Sequence, residues 1–71
     1  MAKKKATPPK YNRIAEVLEE KGKTQAWLAG EMEIEYRTMN RYVNNHRQPS
    51  VEKLFEMAKI LKVGVRELLE E

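Results

Sequence analysis

Between Thr24 and Asn45 the chain reads TQAWLAGEMEIEYRTMNRYVNN, and its apolar residues fall at Leu28, Ala29, Met32, Ile34, Met39 and Tyr42. Leu28, Ala29 and Met32 share one helical face, because positions three and four apart are neighbours on a helix surface. Glu33 to Glu35 makes a tight connection, with Ile34 tucked toward the core, and Met39 and Tyr42 then resume the helical spacing. Helices of about two turns are marginal in isolation. The pair therefore needs other parts of the chain to complete its core.

The flanks supply them. Tyr11, Ile14, Ala15 and Leu18, with Val17 beside them, recur at helical spacing. Thr7, Pro8 and Pro9 predict the cap and first turn of this helix, where proline's missing N–H costs nothing. Gly22 reads as its left-handed terminator after Lys21, and Thr24 as the N-cap of the second helix. A third helix is predicted from Tyr36 to Asn44, followed by a polar loop through Pro49. Ser50 caps a fourth, Val51 to Leu61, with a core stripe of Leu54, Phe55, Met57, Ala58 and Leu61. Val63 to Val65 interrupts, and Val65 to Glu70 reads as a short fifth helix presenting Leu68 and Leu69. No segment alternates with period two for long enough to make a strand. The expectation is an all-α, compact five-helix domain over residues 10–71, behind a basic, flexible N-terminal arm over residues 1–9.

A chain of 71 residues buries only roughly 60% of its unfolded surface. That leaves no room for a catalytic cavity beside a substrate domain. The absence of cysteine excludes a disulfide framework and points to a reducing compartment, the cytoplasm. No apolar run follows MAKKKATPPK, and no stretch approaches the ~20 apolar residues that span a bilayer. His46 is a lone histidine, so no metal site is expected. Glu16, Glu19 and Glu20 lie on an exposed helical face with no nucleophile and base beside them, so the chain reads as non-enzymatic. No cofactor and no small-molecule ligand are expected, and with nothing after Glu71 no sensing domain either.

The net charge of +3 is unevenly placed. Lys3, Lys4, Lys5, Lys10 and Arg13 make the start basic, residues 14–35 are acidic, and Arg37, Arg41 and Arg47 make residues 36–49 basic again. This second basic patch coincides with the third helix, whose polar residues Tyr36, Arg37, Asn40, Arg41 and Asn44 are of the kinds that contact nucleic acid. Mixed charge also serves plain solubility.

Two crossed short helices with such a polar face resemble the lambda-repressor and Cro type of helix-turn-helix, the XRE family. The resemblance is carried by Thr24-Gln25, Leu28-Ala29, Ile34, Met39, Asn44, the Arg47-Gln48-Pro49-Ser50 loop, Leu54, Met57-Ala58-Lys59, Leu61, Val63 and Glu67-Leu68-Leu69. It runs in register from about Asn12 to Leu69. It implies a sequence-specific regulator of transcription that binds double-stranded DNA, repressor-like, with the third helix in the major groove. By position it implies base contacts from Tyr36, Arg37 and Arg41, and backbone contacts from Gln25, Thr38, Asn44, His46 and Arg47. Lys3, Lys4 and Lys5 would follow phosphates as an arm. A single domain makes few contacts, so a homodimer is expected, joined through Val65, Leu68 and Leu69 or through the loop after the third helix.

Four positions depart from the family pattern. Glu33 and Asn45 stand where glycine is common, and Glu33 and Glu35 add negative charge close to the expected phosphate path. Trp27 replaces a usual polar residue and reads as a half-buried packing residue. The alternative reading is a protein-interaction module, or an antitoxin-type partner-binding protein, on the same scaffold.

Overall fold

The computed structural model describes residues 9–71. Four helices, α1 (Ile14–Lys21), α2 (Gln25–Met32), α3 (Tyr36–Val43) and α4 (Val51–Leu61), precede a 3-10 turn at Val65–Leu68. The predicted fifth helix is thus a single tight turn, and Leu69 beyond it is already extended. Among the described residues there is no strand, only one isolated antiparallel bridge between Asn12 and Leu69.

Local signals place the boundaries. The Thr24 hydroxyl accepts from the Trp27 N–H at 3.0 Å, and the Ser50 hydroxyl accepts from the Lys53 N–H at 3.1 Å. Each satisfies a donor that the first helical turn leaves free. Four residues in the left-handed region close the helices: Gly22, Glu33, Asn45 and Lys62. After α2 and α4 the chain closes alike, with Ile34 N–H donating to the Ala29 carbonyl and Val63 N–H to that of Ala58, both at 3.0 Å. Ile34 and Val63 then pack on the core, the apolar contact that accompanies such a helix end. Glu33 therefore adopts the turn conformation that glycine adopts more easily, with φ of 57°.

The core gathers Ile14, Val17 and Leu18 from α1, Leu28, Ala29 and Met32 from α2, Met39 and Tyr42 from α3, Met57, Ala58 and Leu61 from α4, and Leu68. Ile14, Leu28, Met39, Met57 and Leu68 are fully enclosed. Trp27 is half-buried against this core, with the Lys23 ammonium 4.8 Å from its ring centroid.

Several expectations are corrected. The predicted cap at Thr7 and Pro8 lies outside the described residues, and α1 starts only at Ile14, because Pro9 to Arg13 is non-helical. Tyr11 therefore leaves the predicted core stripe and is 60% exposed. Ala15 faces solvent, and Val17 takes its place inside. On α4 the buried face is Met57, Ala58 and Leu61, so Phe55 falls outside it at 57% exposure. Leu68 is enclosed and cannot serve as a dimer surface, while Leu69 is exposed.

Asn12 explains the late start of α1. It is the one buried polar residue among those described, and every hydrogen-bonding group it carries has a partner. Its side-chain N–H groups donate to the Tyr42 carbonyl at 2.9 Å and to Gln48 Oε1 at 2.8 Å. Its Oδ1 accepts from the Ile14 N–H at 3.1 Å. Asn45 answers from the other side: its Oδ1 accepts from the backbone of Tyr11 and Asn12 at 2.9 and 3.0 Å, and its amide donates to the Asn12 carbonyl. Arg13 N–H to Leu68 O and Glu70 N–H to Tyr11 O fasten the end of the domain to the same segment.

A surface pair adds a pH-dependent tie. Lys10 hydrogen-bonds Glu16 and lies 3.7 Å from Glu70. The Lys10 hydrogen bond holds the Glu16 carboxyl below its ordinary range, against a smaller opposing effect of burial.

Asn12→Ala is expected to cost about 1–3 kcal/mol in urea unfolding, because it strands the Ile14 N–H in the interior and leaves the Tyr42 carbonyl only its bond from the Asn45 N–H. Asn12→Asp should cost at least as much, since it turns an acceptor toward two oxygens. Glu33→Gly should raise stability by roughly 0.5–1 kcal/mol with an unchanged m-value, by relieving left-handed strain. Because the Glu16 value is depressed in the folded state, its contribution is present above the unfolded value and lost as pH falls through the folded one. Glu16→Gln should therefore flatten that acid limb of a pH-stability profile.

Candidate nucleic-acid interface

α3 is a helix of eight residues with one buried and one exposed side. Met39 and Tyr42 hold it to the core, and Tyr36, Arg37 and Arg41 stand on its exposed side. Arg37 and Arg41 are four apart and so lie one turn above the other. Among the described residues neither is in an ion pair or a side-chain hydrogen bond, and their guanidinium donors face water. Tyr36, 55% exposed, opens the helix beside them. Three side chains able to bond or stack on a polar surface thus occupy one unobstructed ridge.

The turn fixes where this ridge points. Glu33 closes α2 and Glu35 is the residue before α3, with its backbone extended and its carboxylate making no capping bond. Both glutamates are exposed, and Glu35 leaves the amide N–H groups of the first α3 turn free. At the other end Asn44 spends its amide on the Asn40 carbonyl and Oδ1, at 3.0 and 3.2 Å. Only its oxygen remains for an outside donor. His46 and Arg47 follow in the loop and are exposed. Thr38 is half-buried.

Gln25 is the first residue of α2. Its Nε2 is enclosed and has no hydrogen-bond partner, alone among the described buried side-chain atoms. An unpaired buried donor costs roughly 1–3 kcal/mol, and here it sits at a helix N-terminus, where free amides and the dipole favour an anion. Lys3, Lys4 and Lys5 lie outside the described residues. No metal-binding cluster of His, Asp or Glu exists among the described residues, and none of their helices is long and apolar enough to cross a membrane.

The residue that sequence reasoning missed is Asn12. It touches the carbonyl of Tyr42 on α3 and, through Asn45 and Gln48, the loop that carries His46 and Arg47. The available signal was a capping-type side chain just ahead of an apolar run, which marks a helix start better than the two prolines upstream.

Comparison with known proteins agrees with this geometry. A helix-turn-helix family model matches residues 14–68. A crystal structure of a candidate DNA-binding protein from Bacteroides fragilis is 41% identical, with a TM-score of 0.82, covering 83% of this chain and 95% of that one. No curated protein matches the chain. With α2 and α3 forming the crossed pair inside the matched span, the chain belongs to the helix-turn-helix family of the lambda-repressor and Cro (XRE) type.

Proposed function

We propose that the protein is a cytoplasmic, sequence-specific double-stranded DNA-binding regulator of transcription, repressor-like and without catalytic activity, that reads the major groove with α3. The observation that carries this reading is the exposed ridge of Tyr36, Arg37 and Arg41, without ion-pair or side-chain hydrogen-bond partners among the described residues, on a helix held to the core through Met39 and Tyr42. Arginine grips guanine O6 and N7 with two bonds, worth about 1–3 kcal/mol of discrimination. Arg37 and Arg41 take that role, and Tyr36 packs on a thymine methyl or bonds a phosphate.

Backbone contacts then fix the register. Gln25, at the N-terminus of α2, donates its orphaned amide to a phosphate after a side-chain rotation, and Thr38, Asn44, His46 and Arg47 flank the groove. Glu35, beside the α3 N-terminus, accepts from cytosine N4 rather than facing phosphate. Lys3, Lys4 and Lys5 add salt-sensitive affinity along the backbone. Two copies would set their α3 helices about 34 Å apart on a palindromic site, since one domain alone makes few contacts.

Selection from a random duplex pool should recover a palindrome, and binding to it should weaken steeply between about 50 and 200 mM salt. Arg37→Ala and Arg41→Ala should each cost roughly 5- to 150-fold in affinity and erase preference at one base pair per half-site. Gln25→Ala should weaken all sequences alike. Absence of duplex binding even at low salt would return the scaffold to a protein-interaction module, and unchanged preference in both arginine variants would refute the base contacts.

A further inference from the structure

The outward face of α4 carries Val51, Glu52, Phe55, Glu56 and Lys59, all exposed, with Lys62 just beyond the helix end. Val51 is 68% and Phe55 57% exposed, one helical turn apart and outside the buried set of Met57, Ala58 and Leu61. The charges on this face are ordered: Glu52 and Glu56 occupy its first half, Lys59 and Lys62 its second. Among the described residues none of these four has an ion-pair partner within the chain.

We propose that this face binds a second copy of the chain, the two α4 helices packing antiparallel about a two-fold axis near Phe55. The occupant follows from the charge order. A partner lying parallel would set acid on acid and base on base, whereas an antiparallel copy sets Glu52 opposite Lys59, and by symmetry does so twice. Phe55 then meets Phe55 of the other copy at the centre, with Val51 to one side. An aromatic, apolar middle within a charged rim is the anatomy of a protein interface. Acid first and base last also suits the dipole of a lone helix, but that account leaves the exposed Phe55 among the charges, and the exposed Val51 one turn before it, unexplained. The face lies on a different helix from Tyr36, Arg37 and Arg41, which it leaves open.

This inference names the surface of the homodimer proposed above and rests on that part of the reading, not on DNA recognition. Sedimentation equilibrium of the full chain without DNA, from low micromolar to near millimolar concentration, separates the two. The expected result is a reversible monomer–dimer equilibrium. Phe55→Lys should weaken it by at least about tenfold while leaving the helical circular dichroism and the monomer's melting unchanged, since Phe55 lies outside the core. Glu52→Lys and Lys59→Glu should each weaken it by about tenfold through like-charge opposition, and the double variant E52K/K59E should recover to within about threefold of the native constant. A native chain that stays monomeric throughout, a Phe55→Lys chain that associates as before, or a double variant as weak as the singles would each overturn the proposal. Duplex binding by the same preparations reports on the DNA reading independently.

Discussion

The hydrogen-bonded clamp between Asn12 and Asn45 holds together parts of the chain that apolar packing alone would leave adjustable. Asn12 is enclosed, and an enclosed amide is tolerated only when its donors and acceptor are all answered. Tyr42, Gln48 and Ile14 answer its side chain, while Asn45 binds its backbone from both directions. Asn45 can do this because its own backbone is left-handed, with φ of 60°, a conformation asparagine accepts more readily than most residues. Glycine at that position would give the turn at less strain but would carry no amide. The departure from the family's common glycine is thus tied to the presence of Asn12.

How much of this was legible depends on the range of the interactions. Thr24 and Ser50 bond N–H groups three residues ahead, so their caps were readable directly, and Gly22 announced its own turn. The buried positions of α2 and α3 followed from spacing. The start of α1 did not, because Asn12 is held by residues 30 to 36 positions away. Once Pro9 to Arg13 is drawn out to meet Leu68 and Glu70, Tyr11 leaves the helical register and Ala15 turns outward. Phe55 was misplaced for a different reason: α4 needs only one stripe inside, and Met57, Ala58 and Leu61 fill it. Hydrophobicity alone cannot tell a core residue from one that waits for a partner.

The candidate interface was legible as a set of residue types but not as an arrangement. The sequence placed Tyr36, Arg37 and Arg41 on one helix, and the structure finds them exposed on that helix. Asn44, grouped with the backbone contacts by resemblance, has its amide committed to Asn40. Gln25 moves the other way, since its orphaned donor is visible only once neighbouring side chains enclose it.

These features meet on α3. A helix of eight residues anchored by Met39 and Tyr42 has little stability of its own, so its direction is set by what grips its ends. At its start, Glu33 holds a strained turn. At its finish, the Tyr42 carbonyl is bonded by Asn12, which is in turn tied to Leu68 through Arg13. The exposed ridge is therefore oriented by residues from both ends of the described chain, none of which lies on its surface. Among the described residues Arg37 and Arg41 have no ion-pair or side-chain hydrogen-bond partner, and no contact described in the fold is lost by committing them to an external one. Stability and the proposed recognition are divided between opposite sides of the same helix, and the Asn12–Asn45 clamp ties the end of that helix to the rest of the core.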